Sequence, residues 1–236
     1  MPTTVTTIER LLAIGLLMAV LSGCGDDPAT GDPRSDDHPT DVTQGGEPAD
    51  PASGAARPSA SVDFEVAVAD DRLLVDYTVT NHGAHDLLVL NRLPQPAGAG
   101  TSYVDDIVYV TGLDDGRVQV AQRVFPWPDS VRIDYAQAPQ MGATGLAPSG
   151  SLDVHLEVPL PLERRQPFGD DLGYGPISLP DPATEVEFCL GVIAPPYPRG
   201  VSPALDEDDP TLMLLAHGDA AHQAQYLFCS DPVVLD

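Results

Sequence analysis

Few groups in this chain could do chemistry, and their spacing sorts them. His82-Gly83-Ala84-His85-Asp86 places three potential metal ligands in one short stretch. Asn, Gly and Asp are also what a hairpin turn needs for its backbone angles, and no second ligand cluster at fixed spacing accompanies them, so the stretch reads as a turn. Asp206-Glu207-Asp208-Asp209 and Asp114-Asp115-Gly116 offer carboxylates for hard cations, but without the alternating spacing of a calcium loop. They read as solvated charge. His155 sits between Val154 and Leu156 on the outer face of a strand pattern, and His217 and His222 flank a Gly-Asp turn and read as solvated. His38 lies in a polar tract with no fixed partners. Three cysteines remain, at positions 24, 189 and 229.

The short motifs that announce enzymes are missing: no G-x-S-x-G, H-E-x-x-H, C-x-x-C or G-x-G-x-x-G. All eleven basic residues are Arg, so lysine-dependent chemistry such as a Schiff base or a P-loop is excluded. The chain is therefore read as non-enzymatic, with no catalytic residue, cofactor or metal site assigned. A formal charge of −25 repels phosphate backbones, so nucleic acid is not expected as a partner. Arg164-Arg165 is the one adjacent basic pair, suited to pairing with nearby carboxylates or to docking an anionic partner. Trp127, the single tryptophan, is held extended by Pro126 and Pro128. It is the first residue to test as a ligand contact, for a sugar or a peptide. The competing reading makes it a cap on the core.

The elements that must position these groups are strands. Val62, Phe64, Val66 and Val68 alternate with polar or small residues, and after Asp70-Asp71 so do Leu73, Val75, Tyr77 and Val79. Further strands are expected over Leu87–Leu93, Ile107–Leu113, Arg117–Phe125, Val131–Gln137, Ser151–Val158, Glu185–Ile193 and Tyr226–Leu235. Pro94–Gly100 reads as a loop, and residues 159 to 183 as a long Pro/Gly-rich connection. Thr211–His217 fits either a short helix stopped by Gly218 or an edge strand. Frequent turns and no sustained helical period predict an all-β fold, an antiparallel immunoglobulin-like β-sandwich of about seven to nine strands over residues 62–236. The Asn81-His82-Gly83 and Pro148-Ser149-Gly150 turns between strands resemble bacterial immunoglobulin-like modules. Over residues 73 to 158 the pattern is loosely similar to a bacterial proteinase-inhibitor sandwich family.

Upstream, the apolar run from Leu11 to Val20 is too short for the roughly 20 residues a membrane-spanning helix needs. It ends in Leu21-Ser22-Gly23-Cys24, which resembles the lipobox of bacterial lipoproteins. That resemblance implies a signal peptide over residues 1–23, a diacylglycerol and further acyl chains such as palmitate on Cys24, and a membrane partner reached through that anchor. It places the protein in the cell envelope, at the outer membrane or the outer face of the cell membrane. The absence of Asp directly after Cys24 favours the outer membrane where there are two. Residues 24–61, nearly free of large apolar side chains, are expected to be a disordered acidic tether. With Cys24 acylated, Cys189 and Cys229 are an even pair in a disulfide-permissive compartment and are expected to be joined. The preferred function is non-catalytic binding or scaffolding of an envelope protein or glycan. An envelope protease inhibitor or accessory subunit is second, and an envelope hydrolase assembled from distant strands is third.

Overall fold

A computed structural model of the chain describes residues 54–98, 100–113, 115–128, 138–168 and 179–235. The expected signal peptide, Cys24, His38, most of the tether and the strand over 131–137 lie outside the described residues. The strands, in order, are β1 (Ala60–Ala69), β2 (Arg72–Asn81), β3 (Leu87–Ala97), β4 (Gly100–Val104), β5 (Tyr109–Gly112), β6 (Val118–Gln122) and β7 (Gln140–Leu146). They continue as β8 (Ser151–Pro159), β9 (Glu185–Ile193), β10 (Ala204–Leu205), β11 (Leu212–Ala216), β12 (Gln225–Cys229) and β13 (Val233–Val234), with a short helix α1 (Asp219–Ala224) before β12.

The all-β expectation holds, and the strands form two sheets. The small sheet is β1-β2-β8, antiparallel throughout. The large sheet runs β10-β11-β7-β3-β9-β6-β5, with β12 and β13 on β9 and β4 on β3. Leu73, Val75, Tyr77, Val79, Leu156 and Val158 of the small sheet pack on Val118, Val120, Val186, Phe188, Leu190 and Val192 of the large one. A second core, including Leu90, Tyr109, Phe125, Met141, Ile193 and Leu215, forms a separate cluster. β9 sends Val186, Phe188, Leu190 and Val192 to the first core and Ile193 to the second, which is why it reads as an almost unbroken apolar run.

Four details depart from the sequence reading. One pair, β6 with β9, is parallel, so the large sheet is mixed. Thirteen strands occur among the described residues, partly because several are very short and the expected Tyr226–Leu235 strand is interrupted after Cys229. Pro94–Gly100 is a hairpin instead of a loop: Pro94 and Pro96 pair opposite Tyr103 and Thr101. Counted outward from the two-residue turn, those are positions that send no N–H to β4, so two prolines cost the ladder nothing. Finally, β7 was not anticipated. Gly142 lies so close to Arg92 and Leu212 that an added Cβ would meet their carbons at 2.9 and 2.7 Å, which explains a glycine inside a strand. Thr211–His217, which fitted either assignment, is strand from Leu212 to Ala216. Of the expected tether, residues 54–61 are described, and there Arg57 lies over the rings of Tyr226 and Phe228 at 5.6 and 5.2 Å.

Candidate functional site

The outer face of the small sheet gathers a group of titratable side chains. The register sets Asp63 beside Thr78 and Asp153, and Glu65 beside Asp76 and His155. Each is an alternate residue whose neighbours in sequence point into the core, so burying the valines drives the carboxylates outward. Asp76 and His155 are directly opposed, and His155 Nδ1 meets Asp76 Oδ1 at 2.7 Å, with Glu157 Oε1 at 3.5 Å from Nε2. Hydrogen bonds to Asp76 and then Glu157 raise the His155 pKa above its ordinary value. Arg72 joins Glu157 at 3.1 Å. Thr78 donates to Asp153 at 2.7 Å. A trough of about 450 Å³ lies over these groups.

The backbone at the two edges of this sheet is set by the same register. Asp71 accepts from Leu160 N–H, and Asn81 N–H donates to Gly150, so the odd-numbered residues of β2 are the ones bonded to β8. On the other side, Ala69 and Arg72 flank a two-residue turn, so the odd-numbered residues of β1 are bonded to β2. The N–H and C=O groups of Val62, Phe64, Val66 and Val68 therefore point away from the sheet. Among the described residues no strand pairs with that edge. The side chains of those four residues reach the core but are only half-buried. A groove of about 490 Å³ runs there, between β1 and the segment from Cys229 to Val233.

The opposite seam, where β8 approaches β5, holds a groove of about 730 Å³ lined by Val110, Val158, Leu160 and the Arg164-Arg165 pair. The edge of β5 is taken there, since Val110 and Arg165 exchange backbone hydrogen bonds at 2.8 and 2.9 Å. The Arg165 guanidinium donates to the Pro94 carbonyl at 3.2 Å.

The other sequence-singled residues are scattered. His217 is buried, which corrects its reading as solvated. Its Nδ1 accepts from Phe125 N–H at 3.0 Å, so Nε2 carries the hydrogen and faces the Tyr109 hydroxyl at 3.1 Å. Burial, assisted by the Arg123 charge, pulls its pKa down to about 3, and burial also raises that of Tyr109. His222 is half-buried and accepts from Arg123 at 3.0 Å, its pKa lowered first by burial and then by Arg123. Trp127 is half-buried, with its ring centroid 5.2 Å from that of Phe168 and its backbone N–H donating to Asp219 at 3.0 Å. It packs on the second core rather than standing clear of it.

Cys189 and Cys229 are joined by a disulfide, as expected, across a directly opposed pair of β9 and β12. Glu187 is buried beside this bridge, held by Arg117 at 2.8 Å and Gln119 at 3.0 Å. Glu187, Cys189 and Cys229 are the one His/Cys/Asp/Glu group among the described residues close enough to share a metal, and the disulfide takes both sulfurs. Around His82 and His85 the turn is organised by buried Asn81, which donates to the carbonyls of His85 and Leu146 and accepts from Gly83 N–H. Asp209 pairs with Arg92 at 3.0 Å, and Asp115 with Arg117 at 2.7 Å.

Sequence reading placed His155 on an outer face but missed its partners. The alternation shows which residues point outward. Which strands are neighbours depends on contacts about 80 residues apart, such as Asp76 with His155. No protein-family model, curated protein or solved structure matches the chain.

Proposed function

We propose that the protein is a lipid-anchored component of a bacterial cell envelope whose β-sandwich has a non-catalytic binding or scaffolding role. The observation that carries the binding role is the broad acidic face of the small sheet, continuous through Asp63 and Glu65 with a groove along the β1 edge, which no described strand pairs. Sheet faces and edges of this kind suit macromolecular partners more than small substrates. In support, several groups that catalysis could recruit are committed internally: His217 is buried and neutral, and both described cysteines are oxidised. Location rests on Leu21-Ser22-Gly23-Cys24 and the short apolar run before it.

The test compares wild type with Cys24→Ala by membrane fractionation and mass spectrometry of the N-terminal peptide. Wild type should remain with membranes and carry acyl chains on Cys24, whereas the variant should be released or persist as an uncleaved precursor. Membrane retention and normal processing of Cys24→Ala would refute the anchor. Pull-down from envelopes with the anchor intact should retain an envelope protein or glycan. Retention of a protease instead would move the role to inhibition.

A further inference from the structure

We infer that β1 is a receptor edge: it binds an extended segment of another protein that adds as a fourth strand to the small sheet, aliphatic side chains inward and basic side chains outward. The inference rests on the binding role proposed above and names its site and partner chemistry. Three observations meet at this edge. The outward backbone groups of Val62, Phe64, Val66 and Val68 form a row of donors and acceptors that no described strand takes up. The side chains of the same residues are only half-buried, so the first core is open along this seam. The groove beside them is large enough for a strand's inward side chains and has Val233 on its far wall. An added strand would satisfy the backbone row and cover the valines in one step. The seam at β5 is not equivalent, because Arg165 already bridges that edge.

Charge selects the occupant. Residues with outward N–H groups occupy the hydrogen-bonded positions of the new ladder, so Asp63 and Glu65 fall at the other positions, where opposed side chains come closest. Asp231 adds a third carboxylate at the groove, and Asp76 and Asp153 lie behind on the same face. A second copy centred on β1 would bring Asp63 and Glu65 against their own counterparts, a like-charge contact that disfavours pairing. A strand carrying Lys or Arg opposite them is complementary.

The test uses the mature anchored chain in detergent and synthetic peptides of about ten residues, matching the 10 residues of β1. One peptide alternates Val and Lys, one is its scramble, and one alternates Val and Glu. The Val/Lys peptide should bind and protect the amides of Val62, Phe64 and Val66 from hydrogen exchange, and the other two should bind at least about tenfold more weakly. Val66→Pro removes an N–H that faces the groove without touching the β1–β2 ladder, and should weaken binding about tenfold. Glu65→Arg, which leaves the backbone edge intact, should shift preference toward the Val/Glu peptide and keeps the test decisive if the proline variant misfolds. Equal binding of the scramble indicates diffuse charge attraction and overturns the inference. A dimer that Val66→Pro dissolves overturns it too, because the occupant is then a second copy. If no peptide protects β1, strand addition fails, while membrane retention through Cys24, read separately, still stands or falls on its own.

Discussion

Acid should destabilise this protein through one buried ring. Wild type and His217→Asn are compared at pH 7.5 and pH 4. The asparagine side chain does not titrate, yet its carbonyl oxygen can still accept the Phe125 N–H that His217 Nδ1 takes at 3.0 Å. In the fold His217 is fully buried and its pKa falls to about 3, against about 6.5 in the unfolded chain. The unfolded state therefore binds the proton more readily. Stability is complete above about pH 6.5 and is lost as the pH falls toward 3. The full difference corresponds to roughly 5 kcal/mol, of which about 3 kcal/mol is expressed by pH 4. Urea unfolding followed by far-ultraviolet circular dichroism gives the stability of each form at each pH. Wild type should lose about 3 kcal/mol more than the variant between the two conditions, since every other titrating group is common to both. A difference below about 1 kcal/mol would refute the reasoning, as would a His217 resonance titrating near its ordinary value.

Replacing Cys189 and Cys229 together by Ala should cost about 4 kcal/mol in the same assay, from the loop entropy of a 40-residue separation. A loss under about 1 kcal/mol would show that the unfolded chain is already restricted there. Trp127→Ala should cost about 2 kcal/mol, less than the 3–5 kcal/mol of a fully buried ring, because the indole is half-buried against Phe168. An unchanged melting temperature would return Trp127 to the role of a contact platform. His155 should titrate above its ordinary value in a nuclear magnetic resonance pH series, and Asp76→Asn should bring it down. Its contribution to stability is present in full below about pH 6.5 and fades as the pH rises through the elevated value. A His155 that titrates at the same pH in both proteins would contradict the pairing.

What could be read from sequence follows from where the determinants lie. β1, β2 and β8 alternate cleanly because each has one face in the core and one in water, and their extents match the pattern closely. The disulfide was legible once the lipobox-like context of Cys24 set that residue aside, leaving Cys189 and Cys229 as a pair. β7 was hidden because Gly142 and Gly145 lower its strand propensity, and the reason for Gly142 is a close approach from Arg92 and Leu212, distant in sequence. Pro94 and Pro96 concealed the extension of β3, since a proline reads as a loop until its hydrogen-bonding position is known. The burial of His217 followed the same rule: a Gly-Asp turn looks solvated, yet Phe125 and Tyr109, about 90 and 108 residues upstream, enclose it. For the candidate site, outward-facing carboxylates were visible one strand at a time. The open edge of β1 among the described residues was not, because an edge is defined by which strands pair and not by the strand's own pattern.

The placement of β9 orders the assembly of the chain in time. Its partners are β3 and β6, made earlier, and β12 and β13, made last, with the disulfide closing on Cys229. A chain emerging from its amino end can form the β1–β2 hairpin early, but the middle of the large sheet stays open until residues 225–234 have emerged. Under the export proposed above, that delay has a use: β9 keeps one edge open during passage, and the bridge can close only after Cys229 has crossed.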